Sequence, residues 1–236
     1  MENSENKSLI STGSSNLAKT EKLLSITQKI LSEIKPKYES VRIGNQEWMT
    51  RNLDVERFRN GDLIPHVVSD KEWDDAGLNG QPAWCYFDND PENGKKYGKL
   101  FNWFAINDIR GLAPEGWHVP TDDEWSILVE YLGGKDIASY KMKSLEGWGW
   151  SKRFKDGLKI QNGNGDNSSG LNVLPCSYRI TSGHFFNYNA FACFWSATEV
   201  DVYFAWDRNL SNDGGVNKCS ICEKSFGASV RCLRDY

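Results

Sequence analysis

The chain has 236 residues, of which 39% are hydrophobic and 13% aromatic, with ten tryptophans. This is ample apolar material for a buried core and excludes a chain that stays disordered and solvated. A net charge of −4, a pI near 5.5 and no lysine or arginine cluster leave no footprint for phosphate backbones, so neither nucleic acid nor an anionic membrane is an expected partner.

Residues 1–16 are rich in Ser, Asn and Glu and read as a polar tail. No basic stretch followed by an apolar one opens the chain, and no apolar run reaches the ~18 residues that span a bilayer. Synthesis inside the cell without membrane insertion is therefore expected, with later display on a virion or cell surface left open. From Leu17, the apolar residues Leu23, Leu24, Ile26, Ile30, Leu31 and Ile34 recur at helical spacing opposite Lys19, Glu21, Lys22, Gln28, Lys29 and Glu33. They predict an amphipathic helix of about four turns closed by Pro36. Its apolar stripe is covered either by the following domain or by self-association with a second copy. Residues 1–37 are thus a tail and helix, and 38–236 a separate domain.

Val41 to Met49 reads as a hairpin around Gly44-Asn45. Arg51 to Pro65 is turn-rich, Lys71 to Gly77 a short helical turn, and Ala83 to Phe87 a buried strand. Asp88-Asn89-Asp90-Pro91-Glu92-Asn93-Gly94 stacks turn formers and predicts a loop. Its oxygen donors also fit calcium, but the EF-hand spacing and closing glutamate are missing. Gly98 to Ile109 is apolar nearly all round, as in a core helix. Thr121 and Glu124 form a capping box before a second helix, whose inner face is Trp125, Leu128, Val129 and Leu132 and which Gly133-Gly134 ends. Asn162 to Gly170 is a polar loop. Leu171 to Ile180, Phe194 to Ala197, Tyr203 to Leu210 and Ser229 to Leu233 are strand candidates. Helices and short strands in separate runs predict an α+β fold.

Six cysteines, Cys85, Cys176, Cys193, Cys219, Cys222 and Cys232, are irregularly spaced. Cys219-x-x-Cys222 has no second half-site for zinc, and its sequence setting is not that of a redox dithiol. No metal or cofactor is expected. His66, His118 and His184 form no constellation with a nucleophile, so an enzyme is not expected either.

Six motifs carry a resemblance: Ile43-Gly44-Asn45-Gln46-x-Trp48-Met49; Arg59-Asn60-Gly61-Asp62-x-Ile64-Pro65; Tyr97-Gly98-Lys99-Leu100-Phe101-Asn102-Trp103; Leu112-Ala113-Pro114-x-Gly116-Trp117-His118-Val119-Pro120-Thr121; Phe194-Trp195-Ser196-Ala197-Thr198-Glu199; and Ser229-Val230-Arg231-Cys232-Leu233-Arg234. In this order they resemble the Fibrobacter succinogenes major paralogous domain family. The resemblance implies a C-type lectin-like fold related to formylglycine-generating enzymes, with two core helices, a small twisted antiparallel sheet and long irregular loops. The catalytic cysteine pattern of those enzymes is not matched: Cys219 and Cys222 are separated by two residues and lie close to Cys232. The calcium motif of sugar-binding lectins is also missing, Ala205-Trp206-Asp207-Arg208 being the nearest approach.

Proteins of this type also occur as variable proteins of diversity-generating retroelements, in which adenine mutagenesis of AAY codons cannot produce Lys, Glu, Gln, Met or Trp. Between His184 and Cys222 only Trp195, Glu199, Trp206 and Lys218 belong to that set. The resemblance therefore implies a diversified surface within about residues 184–226, recognising an unknown protein or cell-surface ligand. Its candidate contacts are the anchors Phe185, Phe186, Tyr188, Phe191, Tyr203 and Phe204. Beside them stand Ala190, Asp201, Asp207, Asn209, Ser211, Asn212, Asp213, Asn217, Cys219, Ser220, Ile221, Cys222 and Phe226. Aromatics for contact area, mixed with small polar groups for adaptable hydrogen bonds, are the composition of paratopes. These side chains are expected to face outward.

Overall fold

A computed structural model describes residues 19–25, 37–153, 159–186 and 189–235. The chain divides into two units, Met1–Tyr38 and Glu39–Tyr236. In the first, residues 19–25 are helical (α1), within the predicted helix, and Leu23 and Leu24 are exposed. The rest of that predicted helix lies outside the described residues.

The second unit is α+β. Its first sheet begins with the expected hairpin, β1 (Ser40–Ile43) and β2 (Gln46–Met49), turned at Gly44 with φ +61°. The order is β1-β2-β13-β5, all antiparallel, so the last strand, β13 (Leu233–Arg234), lies between β2 and β5 (Trp117–His118). The second sheet is a meander of β10 (Phe191–Glu199), β11 (Phe204–Ser211) and β12 (Val216–Glu223). Three two-stranded pairs complete the β structure: β3 (Trp84–Cys85) with β4 (Leu100–Phe101), β6 (Trp150–Arg153) with β7 (Lys159–Asn162), and β8 (Tyr178–Arg179) with β9 (Phe185–Phe186).

The helices are α2 (Asp70–Leu78), α3 (Pro91–Tyr97), α4 (Trp103–Ile106), α5 (Asp122–Tyr131) and α6 (Lys135–Met142). Helix α5 starts on the predicted capping box: Thr121 accepts from the Glu124 amide, and Glu124 accepts from the Thr121 amide at 2.8 Å. Two other expectations need correction. Gly98 to Ile109 is not one helix but β4 followed by the single turn of α4. The Asn102 carboxamide interrupts it, accepting from Ala83 N at 3.0 Å and Ala105 N at 3.2 Å. The stretch 88–94 is not a loop. Phe87–Asn89 is a 3₁₀ turn, and Asp90 caps α3, with Pro91 in the first turn, where a missing amide hydrogen costs nothing. With Asp90 spent on the cap and Asn93 donating to Phe87 O, these oxygens are not gathered around a cation.

Because the elements are short, many backbone carbonyls lie outside helices and ladders, and burying them unpaired is costly. Tryptophans satisfy several of them. The indoles of Trp73, Trp84, Trp103, Trp148 and Trp195 donate to Ser225 O, Ile64 O, Ser196 O, Val173 O and Phe101 O at 2.7–3.0 Å. Buried cations satisfy others. The Arg231 guanidinium donates to Leu171 O, Met49 O and the Asn52 carboxamide. Arg179 holds Val67 O, Val68 O and Gly183 O while its plane lies 4.6 Å from the Trp73 ring. Burial without a carboxylate lowers the Arg231 pKa to about 10, still charged at neutral pH. Around this frame the main core gathers Trp48, Trp125, Leu128, Met142, Phe194 and Leu210, with Trp48 and Trp125 rings 4.6 Å apart.

Candidate functional site

The β10–β12 meander sorts its side chains by alternation, successive residues pointing to opposite faces. Ala192, Phe194, Leu210 and Val216 join the main core. From the same inner side, the Arg208 guanidinium meets Asp122 at the start of α5 at 2.5 Å and donates to Ser126 Oγ at 2.9 Å. Lys218 reaches the other oxygen of Asp122. These contacts clamp β11 and β12 to α5.

The intervening residues Cys193, Asp207 and Asn209 meet on the outer face. The Cys193 thiol donates to Asp207 Oδ2 at 2.9 Å, and the Asn209 amide to both Asp207 oxygens at 3.2 and 3.0 Å. A register shift between the pairs Ala205–Cys222 and Asp207–Cys219 brings Cys222 to the same place, hydrogen-bonded to Cys193 and Asp207. Beside them stand three rings: Tyr178 is stacked against Phe186 at 5.2 Å and Phe226 at 5.6 Å. Tyr178 also feels the charges of Cys193, Cys222 and Asp207.

Burial pushes the Asp207 pKa up to about 6, against the lowering effect of its thiol and amide donors. The Cys193 pKa stands well above that of a free thiol, through its hydrogen bond with Cys222, burial and the Asp207 charge. For Cys222 the bond with Cys193 lowers the pKa, but burial and Asp207 outweigh it and the net shift is upward. Both are therefore protonated thiols at neutral pH, without the thiolate character a nucleophile needs. All six cysteines are free, and burial raises Cys85 and Cys232 to about 12.

The expectation of an outward-facing set holds for part of it. Asp201, Asp213 and Asn217 are exposed, as are Phe186 at 41%, Tyr203 at 71% and Ile221 at 73%. Ala190, Phe191, Phe204, Asn209, Asn212, Cys219, Ser220 and Phe226 are half-buried. Asp207, Ser211 and Cys222 are buried, a correction: alternation puts Asp207 outward, but the thiols and Asn209 close over it. Phe185 is likewise not a free anchor, since it packs on Phe87 at 5.7 Å and on Arg179 at 4.9 Å. Asp201 and Asn212 support backbone: Asp201 Oδ1 accepts from the Tyr203 and Phe204 amides, and Asn212 donates to Trp150 O at 2.9 Å. Tyr188 lies outside the described residues. Tyr178 and Cys193 belong to the site but were not among the candidates. Cys193 could have been found by counting back two residues from Trp195 along one strand.

Each histidine is engaged away from this cluster. His118 bridges Asp235 Oδ1 at 2.7 Å and Glu124 Oε1 at 3.0 Å, His66 stacks on Trp84 at 4.0 Å, and His184 lies 3.9 Å from Asp70. Among the described residues no group of three or more His, Cys, Asp or Glu could hold a metal ion, and no helix is long and apolar enough to cross a membrane.

The fold and site define an α+β domain with an interior held by tryptophans and buried cations and with one sheet face left partly open. The family described as the Fibrobacter succinogenes major domain matches residues 41–234, and the chain belongs to it. No curated protein and no solved structure matches the chain.

Proposed function

We propose that the Glu39–Tyr236 unit is a ligand-binding module of C-type lectin-like architecture, whose recognition surface is the outer face of the β10–β12 sheet with its adjoining turns. One observation carries the reading: inward groups of β11 and β12 are clamped to the core, while Asn217 and Ile221 of β12, Tyr203 of the β10–β11 turn and Phe186 of β9 project large or adaptable side chains into solvent. Such a division permits substitution outside without loss of the fold inside. A catalytic role is disfavoured by the elevated thiols of Cys193 and Cys222 and by histidines committed elsewhere.

The proposal includes diversification of this surface by a retroelement. Two of the four residues outside the reach of AAY mutagenesis clearly serve the frame: Trp195 is fully buried, and Lys218 pairs with Asp122 over the Trp206 ring at 4.0 Å. Glu199 pairs with the buried Lys224. The residues that adenine mutagenesis could not supply thus have structural work, which fits a fixed frame around varied positions. A second reading, an adhesion domain with a fixed surface, is favoured at Asp201 and Asn212, whose side chains hold turns.

The test is a display library randomised at Phe186, Tyr203, Asn209, Asn217 and Ile221, assayed for protease resistance and then selected on a protein panel. Most members should stay resistant, and selection should enrich binders. Loss of resistance in most members would place these residues in the fold rather than the surface. Diversification is tested separately by sequencing the flanking DNA. It requires a near-copy of the codons for residues 184–235, differing at adenines, beside a reverse transcriptase.

A further inference from the structure

Beside β1, which is the edge strand of the first sheet, lies an open cleft of about 380 Å³. The buried side chains of Ile43 and Leu132 line it together with Arg42, Tyr131 at the end of α5, Lys141 of α6 and Ser168. Clefts that hold small ligands begin at about 300 Å³, so the space is sufficient for one. No residue of the β10–β12 sheet takes part, and the cleft does not depend on the recognition surface proposed above.

Its walls are held in place by local chemistry. Tyr131 Cδ2 and Cε2 lie 3.0 Å, and Cγ 3.5 Å, from where a Cβ would stand on Gly44, so one face of the ring rests on the β1–β2 turn. Gly44 makes this approach possible, having no side chain and a φ of +61°. The Tyr131 side chain is otherwise 66% exposed. On the opposite side, Ser169 donates to Lys141 O through its hydroxyl at 2.9 Å and its amide at 3.1 Å, which ties the 168–170 turn to α6.

The charges select the ligand. Glu47, opposite Arg42 in the β1–β2 ladder, is taken by Arg234 at 3.1 Å and by Ser40 Oγ at 2.8 Å. Asp166, whose charge Lys141 feels, is turned to Ser168, accepting from its amide at 2.9 Å and from its hydroxyl. Among the described residues neither Arg42 nor Lys141 forms an ion pair, and both can be reached from solvent, Arg42 being exposed and Lys141 half-buried. Two cations without counter-ions on one cleft of a chain with net charge −4 favour an anion, and a braced ring beside apolar side chains favours a flat body to carry it. We infer that this cleft binds a small organic anion, a carboxylate or sulfate borne on a ring, with the ring against Tyr131 and the anionic group met by Lys141 and Arg42.

The experiment titrates the full ¹⁵N-labelled chain with two acids, 4-hydroxybenzoate and glucuronate, and with their neutral amides, which keep the ring and lose the charge. At least one acid should give saturable shifts at the amides of Ile43, Gly44, Leu132, Ser168 and Ser169, and its amide none; whichever acid binds more tightly tells an aromatic ligand from a sugar acid. Lys141→Gln and Arg42→Gln should each weaken binding about two- to fivefold, the range of an exposed ion pair, and added salt should weaken it further. Tyr131→Ala should lose the shifts while Tyr131→Phe keeps them. None of these side chains is buried, so the variants should fold, and thermal melts of each check that they do. The inference falls if neither acid saturates, if an amide binds as tightly as its acid, or if affinity is indifferent to both Lys141→Gln and Arg42→Gln.

Discussion

The two faces of the β10–β12 sheet differ in how their charges are answered. Inside, Arg208 and Lys218 share the carboxylate of Asp122, and Phe194 and Leu210 lie in the core. Outside, Asp207 is hydrogen-bonded by neutral donors, Asn217 is exposed, and Phe186 of the neighbouring β9 stands partly in solvent. Since alternate residues of a strand answer to different environments, one strand can be rigidly specified on one side and permissive on the other. Stability should therefore reside in the buried side chains of either face, Trp195 on the side of Cys193 included, and very little of it in the exposed ones; the substitutions below test that division.

The largest loss should come from Trp195→Ala. It removes a fully buried indole that donates to Phe101 O, and chemical denaturation should show a loss of about 3–5 kcal/mol. Next comes Arg231→Met, which keeps volume but leaves Leu171 O, Met49 O and the Asn52 carboxamide without their donor. Urea unfolding should show a loss of about 3 kcal/mol, and a neutral effect would mean that the buried cation is not a structural bolt.

Asp207 should act in the opposite direction. Its folded-state pKa of about 6 lies above the ordinary 3.8, so between these values the folded chain keeps a proton that the unfolded chain has released. Its contribution to stability therefore declines as pH rises from about 4 to about 6 and stays low above that, by about 3 kcal/mol at about 1.4 kcal/mol per unit. Asp207→Asn should accordingly be more stable than the parent at pH 7.5 and lose that advantage at pH 4. Parallel stability curves for the two proteins would show that Asp207 ionises normally. The smallest effects belong to Tyr203→Ala and Asn217→Ala, both at exposed positions, for which thermal melts should stay within about 0.5 kcal/mol of the parent.

What could be read from sequence followed the strength of local signals. The β1–β2 hairpin and helix α5 were legible because a tight Gly-Asn turn and a capping box are local chemistry. The break between β4 and α4 was not, because it depends on the Asn102 carboxamide reaching Ala83, nineteen residues earlier. Strand β12 was not legible because Val216–Glu223 alternates poorly: a register shift against β11 disrupts its period. For the candidate site, the outward placement of Phe186, Asn217 and Ile221 was legible as composition. The burial of Asp207 was not, since it needs Cys193 and Cys222 from two neighbouring strands to close around one carboxylate.

The position of β13 has a consequence for biosynthesis. Leu233 pairs with both Trp48 and His118, so the first sheet cannot be completed until nearly the whole domain has left the ribosome. Contacts this distant in sequence make for slow, late assembly. A product cut short by a premature stop or a shifted reading frame would lack the wedge between β2 and β5, so proteolytic quality control should clear it, leaving intact translation products to accumulate.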